Sequence, residues 1–209
     1  MKIGVPKEIK NNEHRVGLTP ESVSELVSNN HEVFIQKDAG AEIGFDNEQY
    51  QKAGAIIINT AQELYENSDL IVKVKEPIPE EFKYLNNKHT VFAYLHLAGD
   101  PKVGLELAST GITGIALETV TADDGSMPLL SPMSAIAGQL SIIVGSYHLL
   151  KPNKGMGTLI GAMDDVERRV VTVIGAGVAG TMAIEKAIGN KASLKIIDLS
   201  QKRLDELKD

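Results

Sequence analysis

The stretch "RVVTVIGAGVAGTMAIEKAIGNKASLKIID" spans residues 169–198, and its reading decides the fold. The run "RVVTVI" is apolar and β-branched, as a buried strand requires. Gly175, Gly177 and Gly180 follow as G-x-G-x-x-G, and "VAGTMAIEKAIG" then carries helix-forming residues. "LKIID" is a second apolar run, ending on Asp198, 23 residues past the first glycine. A short glycine pattern alone says little, but strand, turn, helix, strand and acid in this order make the βαβ unit that opens a dinucleotide-binding fold. Gly175 permits the tight turn. Gly177 lets a pyrophosphate approach the backbone. Gly180 lets helix and strand pack closely, and the helix N-terminus offers unpaired N–H groups and a partial positive charge. Asp198 suits two ribose hydroxyls and would repel a 2′-phosphate, so the pattern favours NAD over NADP. The plainer reading is a glycine turn that packs a βαβ unit and binds nothing.

Upstream, apolar and β-branched runs alternate with short helical patterns. "KIGVPKE", "HEVFIQ", "AIIIN", "DLIVKVKEP", "TVFAYLHLA" and "ITGIALE" read as six strands. Thr19-Pro20, Asp46, the pair Thr60/Glu63 and Asp100-Pro101 mark helix starts, and Gly54 and Gly111 mark ends. The implied fold is α/β: an N-terminal domain with a mostly parallel sheet covered on both faces, then the start of a Rossmann domain. "TADDGSMPLLSP" (121–132), rich in turn formers, is the expected boundary, giving domains of 1–128 and 129–209. A helix over about 132–150 links them, "KPNKGMGTLIGAMDDVERR" (151–169) reads as loop, and the second sheet starts at Val170.

The 209 residues carry a net charge of −7, 43% hydrophobic and 23% charged residues, and no cysteine. Disulfides, thiolate catalysis and thiolate-bound metals are excluded. No basic run or aromatic–basic interleaving points to nucleic acid or an anionic membrane. "LLSPMSAIAGQLSIIVGSYHLL" (129–150) holds too many polar residues for a bilayer span and reads as a buried helix with a small-residue face. His14, His31, His89 and His148 show no metal-ligand spacing, so no metal is expected.

Three charged residues fall near the carboxyl ends of strands, where open parallel sheets bind ligands. Arg15 follows the first strand, Lys75 ends "LIVKVK", and His96 sits in "AYLHLA". An arginine holds a carboxylate through two N–H groups, a lysine adds a second cation, and a histidine passes protons near neutrality. Each has a bland reading: a loop salt bridge for Arg15, an exposed edge strand for Lys73 and Lys75, a structural histidine for His96.

"GVPKEIKNNEHRVGLTPESV", "LIVKVKEP", "FAYLHLA", "ALETV", "PLLSPMSAIAGQLS" and "VTVIGAGVAG…IID" closely resemble the bacterial alanine dehydrogenase family, in order along the whole chain. The resemblance implies reversible oxidative deamination of L-alanine to pyruvate and ammonia with NAD, in a cytoplasmic homohexamer. It implies that Arg15 and Lys75 bind substrate, that His96 is the acid/base, and that Met133 and Ser134 border the nicotinamide pocket. Val178 and Ala179 would contact the pyrophosphate, beside Gly175, Gly177 and Gly180. Asp198 would take the adenosine ribose, and Arg203 would lie near the adenine end. The NAD-binding part of transhydrogenase shares the "RVGLTPE" start and the glycine turn but not a catalytic histidine in "LHLA". The family's dinucleotide domain continues past this point, so a truncated, weakly active or inactive form is expected. The alternative is a non-catalytic module that binds NAD or assembles with a separately encoded C-terminal half. Two strands and one helix cannot bury their own faces, which would leave Val171, Val173, Ile174, Ile196 and Ile197 partly exposed.

Overall fold

A computed structural model describes residues 1–161, 163 and 168–208. The chain divides into two compact units, Met1–Val120 and Thr121–Asp209. The division falls at the start of the turn-rich stretch 121–132, eight residues before the expected limit at 128. The expected loop over 151–169 includes residues 162 and 164–167, which lie outside the described residues.

Unit 1 is a six-stranded sheet, β1 (Lys2–Val5), β2 (Glu32–Gln36), β3 (Ile56–Ile58), β4 (Leu70–Lys75), β5 (Thr90–Tyr94) and β6 (Thr113–Ala116). All neighbours are parallel, in the order β3-β2-β1-β4-β5-β6. Both faces are covered. Val33 and Ile35 pack into one core with Ile3, Val5 and Tyr50, while Phe34 between them joins the other with Leu64, Ile71 and Val91. The period-two alternation is therefore apolar on both sides, as a doubly covered parallel strand demands. The sheet order reverses between β1 and β4, the switch point where a crevice opens outside the carboxyl ends of the strands.

The helices are α1 (Pro20–Ser28), α2 (Asn47–Lys52), α3 (Ala61–Asn67), α4 (Pro79–Phe82) and α5 (Pro101–Ser109). Thr19 caps α1 through Ser22 N–H, and Asp46 and Gln49 form a full capping box on α2. The Thr60 hydroxyl accepts from Glu63 N–H, the hydroxyl half of the expected box, and Asp100 caps α5 through Val103 N–H. α4 has no counterpart in the sequence reading, because four residues carry no periodicity. β4 runs between β1 and β5, so Lys73 and Lys75 do not lie on an edge strand. β5 ends at Tyr94, short of the expected His96.

Unit 2 contains α6 (Ser131–Leu149), then β7 (Val170–Ile174), α7 (Val178–Gly189), β8 (Ser193–Ile197) and α8 (Gln201–Glu206). β7 and β8 pair in parallel over five residues. Gly138 of α6 approaches α7 so closely that a Cβ there would strike the Ala179 carbonyl. The expectation of a buried helix needs correcting: only Gly138 and Ile142 are buried, and Ile136, Leu140, Ile143, Val144 and Tyr147 are exposed. Ile174 and Ile197 are exposed as expected, but Val173 is buried against Ala176 and Ile184. Among the described residues, no helix is long and apolar enough to cross a membrane.

Candidate functional site

The β1–α1 loop is long, and its residues return over the sheet at the switch point. Gly17 lies so close to β4 that a Cβ would come within 2.6 Å of the Val72 carbonyl oxygen. Tyr50 Oη donates to Leu18 O at 2.8 Å and Gln36 Oε1 accepts Lys7 N–H at 2.9 Å, tying the loop at both ends. Lys10 pairs with Glu76 just past β4.

Arg15 sits in this loop with one edge of its guanidinium on Glu13. Nε donates to Glu13 Oε1 at 2.8 Å and Nη2 to Oε2 at 2.6 Å, a paired geometry that fixes the plane of the fork. The bond to Arg15 holds the Glu13 carboxyl down at about 2, with Lys75 adding to the effect. Tyr94 and Glu8 also lie within electrostatic reach of Arg15. Arg15, Lys75 and Tyr94 thus share one neighbourhood, and Lys75 and Tyr94 are register partners across β4 and β5.

Lys75 owes its position to an irregularity. The β4–β5 register shifts between Val72 and Lys75, which disturbs the ladder and re-aims the strand end. Glu8 meets the need: its Oε1 accepts Val74 N–H at 2.7 Å and Lys75 N–H at 3.3 Å. Glu8 is buried, and its Oε2 pairs with Lys73 Nζ at 3.1 Å. The same ammonium donates to Glu81 Oε1 at 2.8 Å, where Tyr65 Oη also donates. Burial pushes the Glu8 carboxyl up, against the downward pull of Lys73 and the Val74 N–H. Sequence reading missed Glu8, Glu13 and Glu81. A lysine inside "LIVKVK" was the available signal, since a charge at a core position needs a buried partner.

His96 lies two residues beyond β5 with φ +45°, in the left-handed region. It is exposed, while Leu95 before it is buried. Together with Glu76, Ile78, Leu95, Asp100 and Val103 it lines a cavity of about 200 Å³.

In unit 2, a cleft of about 600 Å³ is lined by Gly175, Gly177, Val178, Ala179 and Gly180, facing Ser134 of α6. Met133, next to Ser134 in the first turn of α6, is not among its lining residues. Gly175 has φ +88°, and a Cβ at Gly180 would strike the Gly175 carbonyl, so both glycines are demanded by the turn. At Gly177 a Cβ would meet nothing within 4 Å. That space, over a helix N-terminus with no side-chain cap, fits a pyrophosphate. Asp198 Oδ2 accepts Ala176 N–H at 2.6 Å and Oδ1 accepts Ser200 N–H at 2.8 Å, and these bonds lower its carboxyl. An ionised carboxylate retains lone pairs for ribose hydroxyls. Arg203 grips the turn itself: Nε donates to Ala176 O at 2.9 Å, Nη2 to Thr181 Oγ1 at 2.8 Å, and Nη1 to Glu206 at 2.9 Å.

Residues 4–137 match the family described as "Alanine dehydrogenase/PNT, N-terminal domain", and residues 141–209 match the corresponding C-terminal domain. The chain is 46% identical to an alanine dehydrogenase of Bacillus subtilis over all 209 residues, which is 55% of that protein. It is 45% identical to an alanine dehydrogenase of Methanococcus maripaludis, covering 56% of it. A solved L-alanine dehydrogenase superposes with a TM-score of 0.90 at 43% identity, over 100% of this chain and 57% of that one. A transhydrogenase from Sinorhizobium meliloti superposes with a TM-score of 0.82 at 27% identity, over 99% of this chain and 61% of that one. The chain spans about half the length of the curated relatives it matches.

Proposed function

The chain belongs to the alanine dehydrogenase/PNT family, and from that premise we propose that it carries the substrate side and the adenosine side of an NAD-dependent L-alanine dehydrogenase. The reaction is the reversible oxidative deamination of L-alanine to pyruvate and ammonia. The observation that supports it best is the sharing of one neighbourhood by Arg15 and Lys75 at the switch point of unit 1.

Arg15, its plane set by Glu13, binds the substrate carboxylate. Lys75 places a second cation at the oxygen of the keto product. His96 moves protons as water adds to the imine carbon and ammonia leaves the carbinolamine. NAD, when bound, supplies the hydride acceptor. Gly175, Gly177, Val178, Ala179 and Gly180 would hold its pyrophosphate, and Asp198 its ribose. Met133 and Ser134 would border the nicotinamide, and Arg203 would support the adenine end through the turn. The protein's part is positioning and charge. Family kinship also supports a cytoplasmic homohexamer.

The likeness to transhydrogenase favours one second reading, an NAD-binding module without turnover. NADH oxidation with pyruvate and ammonia separates the two. Consumption that requires both co-substrates, and that is lost in His96→Gln, supports the dehydrogenase. NADH binding by the full protein with no such consumption rejects it.

A further inference from the structure

The turn that presents His96 is held by a carboxylate that the proposed reaction does not use. β5 and β6 pair as far as Ala93 and Ala116. β6 then gives way to a 3₁₀ turn over Leu117–Thr119, so the next donors along the β5 chain lose their ladder partner. Glu118, in that turn, replaces it. Its Oε2 accepts Leu95 N–H at 3.2 Å and its Oε1 accepts His96 N–H at 2.7 Å. Bonds to an ionised acceptor are about twice as strong as neutral ones.

The local backbone has need of that strength. At φ +45°, His96 occupies a region that disfavours side chains with a Cβ. The strained residue is what turns the chain from buried Leu95 to exposed His96. His96 O then accepts Gly99 N–H at 2.9 Å and closes the turn. A Cβ added at Gly99 would strike the imidazole at Nε2 and Cδ2, so the ring lies against the glycine. The backbone of His96 is therefore fixed from the β6 side, and its ring from the Gly99 side.

We propose that Glu118 is a positioning residue, whose carboxylate completes the β5 ladder and thereby holds His96 in the conformation that presents its imidazole. The kinetic arm rests on the reading of His96 as the proton-transfer group; the backbone arm does not.

The test compares Glu118→Ala and Glu118→Gln with wild type in the full protein. By amide hydrogen exchange, Glu118→Ala accelerates the His96 N–H about tenfold or more, the loss expected for a bond to a charged acceptor, and leaves Val91 and Ala93 unchanged. The backbone scalar coupling at His96 departs from its wild-type value. In alanine oxidation kcat falls about 10²-fold, the scale of an ångström-sized misplacement. KM for alanine stays nearly constant, because Arg15 and Lys75 come from other strand ends. Glu118→Gln retains one acceptor and falls between; it carries the test if the alanine variant does not fold. Gly99→Ala lowers kcat while the His96 amide stays protected. Unchanged His96 exchange and coupling in both Glu118 variants would overturn the proposal, as would kcat and KM changing together in step with a global loss of fold. Turnover surviving in His96→Gln would defeat the dehydrogenase reading alone, with the exchange data still deciding whether Glu118 holds the turn.

Discussion

Replacing Lys73 by methionine tests the account of the sheet most severely. The Lys73 side chain is wholly buried, and its two carboxylate partners, Glu8 and Glu81, expose 2% and 5% of their side chains. Methionine fills similar volume, so packing is nearly conserved and electrostatics decides. Wild type buries one ammonium against two carboxylates that also take the N–H groups of Val74, Lys75 and Ile78. The variant leaves both carboxylates without their counter-charge. Removing one partner of a buried ion pair costs about 3–5 kcal/mol, a fifth or more of the ~5–15 kcal/mol that stabilises a domain. Urea unfolding followed by tyrosine fluorescence reads this in unit 1, which holds Tyr50, Tyr65, Tyr84 and Tyr94 of the five tyrosines. The deficit also depends on pH. Without Lys73, the Glu8 carboxyl rises further above its unfolded value. The variant's deficit is then smallest below that value and grows as pH rises towards neutrality. A loss under about 1 kcal/mol, the size of a surface pair, would refute the reasoning.

Three further outcomes are expected. His89 is buried, with Nδ1 accepting Asn86 N–H and Nε2 donating to Tyr65 O, and burial lowers its pKa. Because the folded value lies below the unfolded one, its contribution is complete above about pH 6.5 and is lost as pH falls below it; urea midpoints of His89→Gln should show a weaker fall across that range. Gly177→Ala should leave urea stability within about 0.5 kcal/mol, since its Cβ meets nothing, yet calorimetric titration should show NAD affinity lowered at least tenfold; equal affinity would place the pyrophosphate elsewhere. Thr19→Ala should lower the stability of unit 1 by about 1 kcal/mol through loss of the Ser22 N–H bond.

Much of this was legible before the structure, and the reasons differ by element. Strand positions followed from runs such as "EVFIQ", whose alternate residues enter two different cores, and helix starts followed from Thr19, Asp46 and Asp100. The glycine turn was legible because each glycine answers a separate local demand. The carboxylates were not. Glu8 and Glu118 are distant in sequence from what they hold, and no spacing rule connects Glu8 to Val74. The edge-strand alternative for Lys73 stays open in the sequence because the order of parallel strands is invisible in a single strand's pattern, and the structure closes it. The sequence carries the strand end as far as His96 because "VFAYLHLA" stays apolar past the point where β6 ends, whereas β5 stops at Tyr94.

The central claim is that Arg15, Lys75 and His96 serve one reaction with L-alanine and NAD. Initial rates of NADH formation by the full protein, with wild type, Arg15→Ala, Lys75→Ala and His96→Gln compared under saturating NAD, test it most directly. The account predicts formation that depends on L-alanine, a raised KM for alanine in the Arg15 variant, and kcat lower by about 10²-fold or more in the His96 variant. Alanine-dependent formation at equal rates in all four proteins would contradict it.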